Sequence, residues 1–357
     1  MVRVHTRGAR SGLTLIELLV AIGLTSILVV ALVKMLETSL GVWGRTETRR
    51  DLLEQATAMS ELVSVDLLAL EGGERGDLLV DWEAFDTDGD GIRGLFLPRL
   101  RMVRRISEAD LSRRGLVNLE LDENGEPIIE TRRAGALLEV TWAMMPGEIG
   151  SLVRGERLLS EDESIFDDDF FDPEGQPPPG MVSEVSDTVL WFGLVFASQT
   201  SDLTQGWRIG EGLLDCASAW DARTSGRTDE DLTTLNSPPA GCPTSKDLPV
   251  FPRRVRIEFE VERRKDLEKR TTLVETIDPK ETLLVLRDER FAPATGGFVR
   301  LDEEWMEVTH VDGKRLTVVR GARGSRNTDH DAGVLVHFGS RSVRELRVAA
   351  YREDWNL

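Results

Sequence analysis

The sequence predicts an α+β protein. A long N-terminal helix, transmembrane in its first half, packs on an antiparallel β-sheet domain that carries an inserted small β-module. Three observations lead there. Leu13 to Val33 is apolar apart from Thr14, Glu17, Thr25 and Ser26, and is long enough to cross a bilayer as a helix. Apolar residues then recur at spacings of mainly three and four, through Leu36, Leu40, Trp43, Leu52, Ala56, Met59, Leu62, Val63 and Leu70. Beyond Gly72 and Gly73 the pattern changes to short alternating runs separated by glycine, proline and acidic turns.

The helix is expected from Leu13 to about Leu70, roughly 85 Å at 1.5 Å per residue. Gly41 and Gly44 are its weak points, and Glu71-Gly72-Gly73 stops it. Arg3, Arg7 and Arg10 precede it with no acid among them, which predicts a cytoplasmic N-terminus and an outward-facing remainder. Glu17 breaks the apolar run at a cost of about 2.5–3.5 kcal/mol, so it calls for a partner. A secretory signal peptide and an ordinary signal anchor are the competing readings. The missing small-residue cleavage site argues against the first, and Glu17 against the second.

Composition limits the function classes. The formal charge of the 357 residues is −19, and the leader carries only basic charge, so the mature chain is more acidic still. This argues against nucleic acid and anionic lipid surfaces as partners, and suits an extracytoplasmic domain that meets divalent cations. Apolar residues make up 40% of the chain, enough for a real core. The two cysteines, Cys216 and Cys242, lie in a loop-like stretch. A disulfide there would contribute about 3 kcal/mol by loop entropy, with two buried free thiols as the alternative.

The metal candidate is the run Asp81 to Gly94. Asp86, Asp88 and Asp90 alternate, Gly91 permits a sharp turn, and Ile92 offers its carbonyl. Hard oxygen donors at that spacing predict calcium. Leu97 stands where a bidentate acid is usual, so Asp81 or Glu83 is the expected substitute, and an unliganded acidic turn is the alternative.

Strands are expected at 94–100, 116–121, 128–131, 137–144 and 151–158, with a hairpin turn at Asp122–Gly125. The stretch 160–180 is acidic and proline-rich, and Asp167, Asp168, Asp169 and Asp172 read as a solvated charge run. Thr188–Ala197 should be a buried central strand, and Val255, Ile257, Phe259 and Val261 mark one face of another. In the β-module, strands are expected at 283–286, 298–301, 305–311 and 315–319, with a tight hairpin at Asp312-Gly313. His310, His330 and His337 lie near Asp329 and Asp331, and read as ordinary turn and strand positions. Val343–Ala350 could close the main sheet.

Gly12 followed by Leu13-Thr14-Leu15-Ile16-Glu17-Leu18-Leu19 resembles the class III signal of type IV pilins and pseudopilins, with Leu13 where Phe is usual. The resemblance implies cleavage by a prepilin peptidase after Gly12 and methylation of Leu13. It also implies pairing of Glu17 with a neighbouring subunit's N-terminal amine during assembly. It implies a leader (1–12), a long helix (13–70, transmembrane 13–33) and a pilin-like sheet domain (71–277), which the strand pattern completes with an inserted β-module (278–340) and a C-terminal strand (341–357). Val140-x-Trp142, then Leu152-x-Arg154, with Asp66 near the helix end, is similar to minor pseudopilin J of type II secretion, where Tyr replaces Trp142. The run Val319-Arg320-Gly321-Ala322-Arg323-Gly324 with His330 and Gly333 resembles a β-motif appended to phage-tail and surface proteins, with no chemistry attached.

The expected function is a structural one: a minor pseudopilin at the tip of a type II secretion pseudopilus. Its partners would be prepilin peptidase, major and other minor pseudopilins and the inner membrane, with the C-terminal domain in the periplasm. A minor type IV pilus subunit or tip adhesin is the alternative. A nucleophile elbow, HExxH and a phosphate loop are all missing from the sequence, so an enzyme is not expected and an anchored hydrolase ranks last.

Overall fold

The computed structural model describes residues 15–72, 76–85, 95–106, 137–147, 149–159, 164–166, 182–197, 216–217, 219–223, 251–262, 270–288, 293 and 295–348. The chain divides into two units, Met1–Asp51 and Leu52–Leu357. Helix α1 (Leu15–Leu68) begins in the first and ends in the second.

In the first unit, Leu15–Leu40 has a mean hydropathy of 2.6, and none of its most apolar window is buried. By length and composition it can cross a membrane. Its hydroxyls do not interrupt it. Thr25 donates to the Ala21 carbonyl at 2.7 Å, Ser26 to Ile22 at 2.9 Å and Thr38 to Lys34 at 2.9 Å. Such back-bonding satisfies a hydroxyl without any partner outside the helix. Gly41 and Gly44, the expected weak points, lie within the helical bounds.

The second unit is built on a sheet of nine strands. They are β1 (Leu78–Phe85), β2 (Leu95–Arg105), β3 (Leu137–Met145), β4 (Gly150–Leu158), β5 (Val182–Ala197), β6 (Cys216–Ala217), β7 (Trp220–Asp221), β8 (Arg254–Val261) and β13 (Ser340–Arg347). The order is β13-β8-β5-β4-β3-β2-β1-β7, with β6 paired to β5 and every pairing antiparallel. Leu52, Ala56, Met59, Val63 and Leu67 form the buried face of α1 at three- and four-residue spacing. They share one core with Leu100, Met102, Leu138, Val140, Trp142, Phe192, Ile257 and Phe259 of the sheet. Phe192 and Phe259 stack across β5 and β8 with centroids 4.9 Å apart. Ser60 and Ser64 are also buried under the helix, and their hydroxyls bond back to the Ala56 and Ser60 carbonyls.

The helix ends by joining the sheet. Leu70 bridges Arg104, the Glu71 amide donates to Val103, and the Arg105 amide donates to Ala69. The chain after Leu68 therefore occupies the edge of β2 that β1, which starts opposite Met102, leaves open. The expected strand 94–100 runs on to Arg105. Its arginines broke the apolar alternation in the sequence, but Arg99, Arg101, Arg104 and Arg105 all meet carboxylates. Strand β1 was hidden by its own charged residues, Asp81 and Glu83, which interrupt the apolar run.

A second sheet, in the order β10-β11-β12-β9, consists of β9 (Leu283–Val285), β10 (Phe298–Leu301), β11 (Glu304–Asp312) and β12 (Arg315–Ala322). Its core comprises Leu273, Leu284, Val299, Met306, Val308, Leu316, Val318 and Val336. Thr272 and Leu273 bridge Leu335 and Leu286, so this packing begins ahead of residue 278. The β11–β12 hairpin turns at Gly313, whose φ of +56° suits the first position of a two-residue loop.

The two sheets meet on an aromatic seam. Trp305, Phe298 and Ala322 pack against Trp82, Phe96, Leu190, Trp191 and Ala219. Trp191 lies 5.7 Å from both Trp82 and Trp305. A Cβ on Gly193 would lie 2.5 Å from the Trp191 indole nitrogen, so glycine makes room for the ring to lie flat along its own strand.

Candidate functional site

Asp66 stands in the last turn of α1 and is buried beneath it. A carboxylate there opposes the helix dipole and loses its hydration, so it needs compensation from the sheet. Three strands supply it. Arg104 of β2 pairs with Oδ1. Trp142 of β3 donates its indole N–H to Oδ2 at 2.8 Å. Arg154 of β4 donates from Nε to Oδ2 at 2.9 Å and from Nη2 to Oδ1 at 3.2 Å.

Trp142 and Arg154 are direct cross-strand partners, and the guanidinium carbon lies 5.6 Å from the indole centroid. Arg154 also donates to Glu156 at 2.5 Å. Two cations thus meet two carboxylates. Burial works against the Arg154 charge, but bonds to Asp66 and Glu156 outweigh it and hold the guanidinium above its ordinary range. The arrangement locks the helix onto β2, β3 and β4. Asp66, Trp142 and Arg154, remote in sequence, are brought to one point. Arg104 was not singled out beforehand; the signal for it was the alternation of arginines in Arg99-Leu-Arg-Met-Val-Arg-Arg105.

The other expected positions divide. Glu17 is exposed on α1 inside the apolar stretch, while Gly12 and Leu13 lie outside the described residues. Asp86, Asp88, Asp90 and Ile92 of the calcium turn lie outside them too. Asp81 and Glu83, the substitute ligands, are β1 residues paired with arginines of the sheet. Asp81 accepts from Arg99 at 2.5 Å and Arg101 at 2.7 Å, and Glu83 pairs with Arg99 at 3.2 Å. Strand pairing sets Asp81 opposite Arg99, and both arginine contacts fall on Oδ2. The backbone of Cys216 in β6 pairs with Ala197 of β5, and Cys242 lies outside the described residues.

The histidines do not gather around Asp329 and Asp331. Period-two alternation leaves both acids exposed and turns His330 inward. There His330 meets Asp302 and Glu304. His337 meets Glu262 at 2.8 Å, and His310 is exposed. Glu304 is fully buried and accepts both Arg320 bonds at 2.6 Å, with the Gly321 and Thr328 amides at 3.2 and 3.0 Å. Burial alone would raise its pKa, but Arg320, His330 and the Thr328 amide pull it down to about 2. Arg323 joins the sheets: it lies 4.1 Å from the Phe298 and Trp305 centroids and 4.7 Å from Trp191. It also pairs with Glu258 at 2.6 Å and Glu260 at 2.8 Å on β8.

Residues 7–33 match a family model described as the prokaryotic N-terminal methylation motif. The motif indicates a type IV pilin-like or pseudopilin subunit, and implies cleavage by prepilin peptidase and assembly with other pilins. With the apolar helix that follows, it points to a membrane-anchored pilin-like protein. No curated protein matches the chain.

Proposed function

We infer that the protein is a minor pseudopilin, a structural subunit at the tip of a type II secretion pseudopilus that supports protein export. The observation carrying this reading is the convergence of Trp142 and Arg154, from the paired-strand pattern similar to pseudopilin J, on Asp66. Prepilin peptidase removes residues 1–12, Leu13 is methylated, and Glu17 registers the helix against a neighbour's amine. The C-terminal unit faces the periplasm, and its second sheet is a small module inserted beside the sheet edge. In this reading calcium is held by Asp86, Asp88, Asp90 and the Ile92 carbonyl, Cys216 and Cys242 are bridged, and the role is not enzymatic.

Intact-mass analysis of the protein from membranes, with and without the host's prepilin peptidase, tests the processing. A methylated chain starting at Leu13, seen only with the peptidase, is expected. Deletion of the gene should then abolish secretion while leaving pilus-dependent motility intact; the reverse outcome assigns the protein to a type IV pilus.

A further inference from the structure

Both ring nitrogens of His330, which bridges Ile277 beside the second sheet, face carboxylates. Nδ1 lies 2.8 Å from Asp302 Oδ2, and Nε2 lies 3.0 Å from Glu304 Oε2. A neutral imidazole donates from one nitrogen only, so both contacts are hydrogen bonds only when the ring is charged. We propose that His330 is a proton-operated latch: charged, it clamps the turn between β10 and β11; neutral, it releases Asp302 and frees that turn.

The surroundings decide which contact yields. Glu304 is fully buried and held by Arg320 and two backbone amides besides His330. The Asp302 side chain is 57% exposed, and water can replace its partner. Deprotonation therefore leaves Nε2–H on Glu304 and sets a lone pair against Asp302. Asp302 also has a φ of +49°, a left-handed conformation that non-glycine residues hold only when surrounding contacts enforce it.

The remaining groups around the ring are fixed. The Thr328 hydroxyl lies 3.4 Å from Nε2. The His330 backbone pairs both ways with Ile277, and the Arg320 guanidinium beyond Glu304 is tied to the Asp278, Glu281 and Thr328 carbonyls. The Asp278 carboxylate is occupied by the Lys280 and Glu281 amides, and Asp329 and Asp331 point outward. Gly321 seats the clamp: a Cβ there would lie 2.5 Å from Asn327 Oδ1, and its φ is +66°.

Burial disfavours the charge on His330, but Asp302 and Glu304 outweigh it, so the ring titrates above its ordinary value. The latch is closed below that point and opens as pH rises through it. The turn it holds leads directly into Trp305, whose ring lies on the seam between the sheets.

The test uses the full chain in detergent micelles with ¹³C-labelled histidine, titrated from about pH 5 to about pH 9. Hydrogen exchange of the β10–β11 turn, corrected for intrinsic base catalysis, is followed in parallel. The His330 signal, assigned through H330Q, should titrate above the ordinary histidine value. Turn exchange should rise about tenfold through the same midpoint. In D302N the midpoint should fall and the pH-linked exchange should vanish. Unchanged turn exchange across the wild-type midpoint, or an unchanged midpoint in folded D302N, overturns the latch. Should D302N fail to fold, the wild-type exchange profile alone decides.

Discussion

Arg154 Nε lies 2.9 Å from Asp66 Oδ2, joining the fourth strand of the sheet to the last turn of the long helix. Removing this carboxylate takes the shared acceptor from buried Arg104, half-buried Arg154 and the Trp142 indole N–H, leaving Arg154 with Glu156 alone. Asp66→Ala is therefore expected to destabilise the C-terminal unit by about 3–5 kcal/mol. Chemical denaturation of the full chain in detergent, followed by circular dichroism, checks it; an unchanged midpoint would show that the lock contributes nothing. A double-mutant cycle with Arg154→Met should show strong coupling, because both changes act on the same buried charges.

The Glu304 carboxylate gives a pH signature of opposite sign to that of His330. Its folded pKa is depressed to about 2. The stability it contributes is fully present above its unfolded value of about 4.5 and is lost as pH falls through the folded value. Protection of the second-sheet amides should therefore decline between about pH 4.5 and about pH 2. Glu304→Gln should flatten that decline, at the cost of a less stable sheet at neutral pH. Hydrogen exchange resolved by segment makes the measurement.

Arg323→Lys should weaken the seam although charge is conserved. An ammonium cannot stack between Phe298, Trp305 and Trp191 while reaching both Glu258 and Glu260. The expected loss is about 2 kcal/mol. A red shift of tryptophan emission at lower denaturant than wild type would report it; identical emission curves would show that the stack is dispensable.

Calcium binding at the acidic turn is checked by isothermal titration of the full chain after chelator treatment. Heat beyond dilution is expected for wild type and should be lost in Asp88→Ala. No heat in either protein removes calcium from the proposed function.

Much of the architecture was legible because apolar spacing reports directly on burial. Leu52, Ala56, Met59 and Val63 announced a helix face, and Val255, Ile257, Phe259 and Val261 a strand face. The failures share one cause. Where strands carry charge into buried positions, periodicity is masked, as at Asp81 and at Arg101, which is 2% exposed. The Asp66 site was visible only as separate fragments, since antiparallel pairing of β3 and β4 is what sets Trp142 opposite Arg154. The partners of His330 were not legible at all, because its carboxylates are not the neighbouring Asp329 and Asp331 but Asp302 and Glu304, nearly thirty residues earlier.

Val261 pairs with Ser340, so the last strand returns to the sheet beside the point where the chain departed. Closing that junction from an open chain means bringing together ends roughly eighty residues apart, an entropic cost that precedes any gain from pairing. The second sheet has its own apolar core and hairpin, and its early collapse would shorten the effective tether between Val261 and Ser340. The small sheet is therefore expected to condense before the long-range strand zips on, and stopped-flow refolding should show mutations in the Leu316–Val318 core slowing completion of the large sheet at a distance.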